Sequence, residues 1–156
     1  MKKLFLLATF LLAIIFETFA QKTYIDSLPD GSGAYYVLGK VSAKHHSVKC
    51  DCNYVQALLI QQAMPGKIKA FQQNAIKFWG ANKGYEHYKE SKYVVQVACK
   101  ERLMRTISAT DYNDAGKTLF SKERSGDDIE WMHVKTDLSG KEVVDCVCKL
   151  IGKNSN

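Results

Sequence analysis

The chain has 156 residues, with 22 lysines and arginines against 16 aspartates and glutamates, a net charge of +6. That length allows one domain with its own core. A mildly basic balance suits anionic envelope or host surfaces, but the lysines are scattered and form no continuous stripe, so no nucleic-acid partner is expected.

The chain opens with Lys2 and Lys3, an apolar run from Leu4 to Phe16, and Thr18-Phe19-Ala20. These are the charged, apolar and small-residue parts of a secretory signal peptide, expected over residues 1–20. The run is too short to span a bilayer comfortably, and no later segment resembles a second span. No cysteine stands near the cleavage point to carry a lipid. Removing this leader, with its two lysines and one glutamate, leaves residues 21–156 as a single exported domain of charge +5.

Next come "KTYID", a Pro-Asp-Gly turn in "SLPDGSG", and "AYYVLGKVSA", whose aromatic and β-branched residues suit a pleated sheet. "YVQALLIQQAM" is open between strand and helix. From Pro65 to about Asn82, Ile68, Phe71, Ala75, Ile76 and Trp79 recur at steps of three and four, which predicts an internal helix over 65–82. "GANKGYEHYKESK" then reads as a polar connection. In "KYVVQVACKERLMRTISAT", alternation places Tyr93, Val95, Val97 and Cys99 on one face, with Leu103 and Ile107 in the same phase. Glu101 and Arg105 interrupt that face, as a bulge or a change of covering would. "YNDAGKTLFS" supplies a turn and a returning strand, and "RSGDDIEWMHVK" a further turn and a strand through Trp131 and Val134. Ser139 and Glu142 have the spacing of a capping box. Val143, Val144, Val147, Leu150 and Ile151 follow at helical spacing, with Gly152 at the end. The expected fold is α+β: an antiparallel sheet of five or six strands against a C-terminal helix, with the internal helix added.

All five cysteines, at 50, 52, 99, 146 and 148, fall in the exported part, where disulfides are the default. An odd count leaves one without an internal partner, and two bridges with one spare allow fifteen arrangements. On the C-terminal helix, Cys146 and Cys148 are two residues apart and point in different directions. Cys148 joins the Val144–Ile151 stripe, and Cys146 turns towards the flank near Glu142 and Lys149.

The stretches "KYVVQVACKERLMRTIS", "DYNDAGKTLFS", "EWMHV" and "SGKEVVDCVCK" resemble the surface-adhesin protein E family of exported bacterial proteins, best over residues 92–149, with a fainter echo in "TYIDS". The resemblance implies an antiparallel sheet packed on a C-terminal helix, and a bridge from the central strand to that helix, which falls on Cys99 and Cys148. A second bridge would then join Cys146 to Cys50 or Cys52. Named members bind host matrix proteins, so the resemblance implies a non-enzymatic binding or structural module of the envelope, cell surface or secreted fraction. Two departures stand out. Lys135-Thr136-Asp137 replaces the family's proline, and the segment from Cys50 to Tyr88 has no clear counterpart.

No Gly-x-Ser-x-Gly elbow, His-Glu-x-x-His helix or phosphate-binding glycine loop occurs, so neither catalysis nor a cofactor is expected. Trp79, Tyr85 and Tyr88 form a candidate contact patch after the internal helix, with core packing the competing use of Trp79. His45, His46, Cys50 and Cys52 in "HHSVKCDC" carry an alternative, metal or redox handling with a borderline or soft ion. His87 and His133 are lone histidines with surface or packing roles.

Overall fold

The computed structural model describes residues 21–80, 83–125, 129–134 and 138–153. The expected leader, residues 1–20, lies outside them. In chain order the elements are β1 (Lys22–Ser27), β2 (Gly33–Leu38), β3 (His45–Ser47), β4 (Cys52–Ala63), α1 (Ile68–Trp79), β5 (Tyr88–Ala98), β6 (Leu103–Asn113), β7 (Thr118–Glu123), β8 (Met132–His133) and α2 (Leu138–Lys153). The strands form one antiparallel sheet in the order β1-β2-β4-β5-β6-β7. Two short strands flank that path, β3 against the start of β4 and β8 against the start of β6. The architecture is α+β, as expected.

The alternating pattern works as period-two side-chain geometry requires. Val37, Val55, Ala57, Leu59, Val95 and Val97 share one face, where Val143, Val144 and Val147 of α2 bury against them. Burying each such valine is worth roughly 1.5–3 kcal/mol, so this layer dominates the core. α1 lies over the other end of the same face, seating Phe71 and Ala75 against Tyr85 and Tyr88. Gly33 permits that seat: a Cβ there would stand 2.7 Å from the Phe71 ring and 2.9 Å from the Gln62 carbonyl oxygen. The sheet's opposite face carries Cys52, Ala98 and Leu103, packed by Tyr54 and Trp131. Arg105 is buried beside them, its Nε donating to Gln96 Oε1 at 2.8 Å and its guanidinium 4.4 Å from the Trp131 ring.

Several expectations need correction. "KYVVQVACKERLMRTISAT" is a hairpin rather than one interrupted strand: Ala98 pairs with Leu103, and Cys99–Arg102 forms the turn. The turn inverts the phase, so Leu103 sits on the face opposite Tyr93, Val95, Val97 and Cys99, and Arg105 belongs to a covered layer of that second face. Ile107 is the residue left over at a bulge, since Val94 pairs with Ser108 and Val95 with Thr106. "YVQALLIQQAM" is strand, within β4 as far as Ala63, with Met64 just beyond its end. The internal helix is shorter than 65–82, because Pro65 and Gly66 form a turn ahead of it and Gly80, at φ 89°, ends it. The strand expected through Trp131 and Val134 shrinks to Met132–His133. α2 starts at Leu138, which puts Ser139 inside its first turn; the Ser139 side chain lies outside the described residues.

Candidate functional site

Register draws one row of side chains across the sheet, on the face shared by both helices. Tyr35 pairs with Gln61, Gln61 with Ser91, Ser91 with Asp111, and Asp111 with Phe120. From Tyr35 to Asp111 this row forms the floor of a cleft of about 370 Å³ whose wall is α1, with Phe71, Phe78 and Trp79, and whose far side holds Tyr93. The volume falls within the small-molecule range of roughly 300–1,000 Å³. Pro29 and Asp30, from the β1–β2 turn, close one rim. Asp30 accepts from the Ser32 backbone N–H at 2.9 Å and from Asn74 of α1, tying rim to wall.

Beneath the cleft lies a buried chain of hydroxyls ending on a carboxylate. Asp111 is 5% exposed. It accepts from Tyr85 OH at 2.6 Å on one oxygen and from Ser91 Oγ at 2.5 Å on the other. Ser91 Oγ in turn lies 2.5 Å from Tyr88 OH. Buried polar groups must be partnered to persist, and this network partners all four. Tyr93 OH donates to Gln61 Oε1 at 2.9 Å. Burial, followed by the Asp111 hydrogen bond and charge, pushes the Tyr85 phenol well above its ordinary value. Burial likewise raises Tyr88, and lifts Tyr93 to about 12. These phenols therefore remain protonated donors at neutral pH. The arrangement can hold and orient a ligand.

The expected patch is rearranged. Tyr85 and Tyr88 are 1% and 5% exposed and form core, whereas Trp79 is 47% exposed. A short 3-10 turn, Tyr85–His87, sends Tyr85 inward, so "GANKGYEHYKESK" is not a wholly polar connection. Trp79 stacks between Tyr85 and Phe120, at ring separations of 6.0 and 5.7 Å. Phe78 beside it is 82% exposed. Sequence reasoning missed Phe78, Tyr35, Ser91 and Asp111. A signal was present for Ser91, a polar residue in phase with Tyr93, Val95 and Val97; Asp111 had none, since only strand register brings it to Ser91.

The cysteines divide differently from one expectation. Cys99 and Cys148 are joined, with Cα atoms 5.7 Å apart, linking the end of β5 to α2. Cys146 does not pair with Cys50 or Cys52. Those two are bonded to each other across the turn between β3 and β4, and Cys146 is the free thiol. The reason is placement: Cys146 sits on the α2 flank facing β1, its Sγ 3.9 Å from the Tyr24 carbonyl oxygen. Burial pushes this thiol up from its ordinary value. The four residues of "HHSVKCDC" do not converge. His45 stacks on Tyr54, and His46 turns to Asn53 and Asp51. The Cys50 and Cys52 sulfurs are taken by their own bond, and no group of three or more metal-ligating side chains occurs among the described residues. His87 pairs with Asp114 at the surface, and His133 is exposed on β8. No helix among the described residues is long and apolar enough to cross a membrane.

Comparison with protein families, characterised proteins and solved structures finds no match to this chain.

Proposed function

We propose that this is an exported, non-enzymatic binding module, of the surface-adhesin protein E-like kind, whose receiving site is the cleft between α1 and the sheet. One observation carries the reading: a concave, ring-lined surface has Ser91 and Asp111 of its floor held in a buried hydrogen-bond network, while Phe78 and Trp79 stand exposed at its mouth. Exposed rings beside a preformed pocket are the usual anchors of recognition. The hydroxyl chain fits binding better than catalysis. Its phenols are held protonated, and no histidine is among the described residues that line the cleft to serve as a base for Ser91. α1 belongs to the segment without counterpart in the resembling family, which makes the cleft this chain's own elaboration.

The test compares capture from envelope extract by the wild type and by a variant carrying Phe78→Ala and Trp79→Ala. Both side chains are solvent-exposed, so an unchanged far-ultraviolet spectrum is expected with loss of capture. Equal capture by the two proteins would contradict the proposal.

A further inference from the structure

We propose that the cleft takes a small organic ammonium cation, its headgroup set among the rings and opposed by Asp111. The inference rests on reading the cleft as the receiving site. Among the described residues six rings line it: Tyr35, Phe71, Phe78, Trp79, Tyr88 and Tyr93. Aromatic faces are negative and attract cations, most strongly where water is excluded. Among the described lining residues two are acidic, Asp30 at the rim and Asp111 on the floor, and none is lysine, arginine or histidine. That holds although the chain carries six more positive than negative side chains. An anionic ligand would meet two carboxylates and no cation. A sugar would need a ring of free donors, but the Tyr85 and Ser91 hydroxyls are committed to Asp111, Tyr88 OH to Ser91, and Tyr93 OH to Gln61. That leaves the Tyr35 hydroxyl and the Gln61 amide on the floor, few for a polyhydroxylated ligand. A positively charged, largely apolar headgroup needs neither. The volume of about 370 Å³ admits a free solute of this kind.

Calorimetric titration of the purified chain tests this with three probes. They are choline, its uncharged isostere in which tert-butyl replaces trimethylammonium, and an N-acetyl-lysine amide. Choline is expected to bind saturably, about tenfold or more tighter than the isostere, and tighter than the lysine amide. Asp111→Asn and Asp30→Asn are each expected to weaken choline several-fold. Asp30 is exposed at the rim, so its variant keeps the test valid if the Asp111 variant fails to fold. Isostere binding as tight as choline would overturn the cation assignment and leave the cleft a binding site. A preference for the lysine amide would overturn the free solute in favour of a partner's side chain. No titration by any probe, with capture still dependent on Phe78 and Trp79, would overturn this inference alone; loss of that dependence as well would remove both readings.

Discussion

Gly33 lies directly beneath the Phe71 ring of α1. Phe71 could turn aside from an added methyl, but the Gln62 carbonyl belongs to a paired strand and cannot yield without disturbing the ladder. Gly33→Ala is therefore expected to lower the unfolding free energy by about 1–3 kcal/mol, read as a lower urea midpoint at constant slope. The buried phenols give a pH signature. Tyr85, Tyr88 and Tyr93 all hold their protons more tightly when folded than the ordinary tyrosine value of 10.0. The folded state then binds more protons than the unfolded chain above that value. Stability should be complete below pH 10 and fall as pH rises towards 12, the region of Tyr93. A urea series across that range checks the slope, which should be shallower in Tyr85→Phe. None of this could be read beforehand from Tyr85 or Asp111, which lie 26 residues apart and meet only through tertiary packing.

Among the elements, α2 was legible because its apolar residues recur at helical spacing and its buried face needs only the sheet beneath it. α1 was legible for the same reason, with its ends displaced by Pro65-Gly66 and Gly80. The hairpin at Cys99–Arg102 was hidden, since Lys100-Glu101-Arg102 lacks turn-forming glycine, proline or asparagine. Arg102 adopts φ 57° there and anchors to α2 through Asp145, 2.5 Å away. The Cys99–Cys148 bond reinforces the same junction across 49 residues. Removing it as Cys99→Ala with Cys148→Ala is expected to cost about 4 kcal/mol by loop-closure entropy. Removing the Cys50–Cys52 bond, with a sequence separation of 2, should cost under about 2 kcal/mol by the same relation. Urea unfolding of the two double variants measures the difference.

For the whole molecule, the sheet keeps the strands of its main path in chain order with antiparallel neighbours, while β3 intervenes between β2 and β4 and α1 between β4 and β5. Of its hairpins, alternation and turn signals announce β1–β2 and β6–β7, whereas β5–β6 lacks the turn signal. The cleft was not announced, because it exists only where α1 lies over a single register row that tertiary pairing of four strands assembles. The thiol inventory tests the global connectivity. The denatured, unreduced chain should show one free thiol, Cys146, and the native chain should react more slowly than a free cysteine because burial keeps that thiol protonated. Three reactive thiols after denaturation would remove one of the two bonds, and a peptide map of the labelled cysteines identifies which. Nuclear magnetic resonance mapping of the labelled protein against its captured ligand tests the cleft itself. Shifts concentrated on Tyr35, Phe78, Trp79, Tyr93 and Asp111 are the result expected, and shifts confined to His45, His46, Cys50 and Cys52 would contradict it.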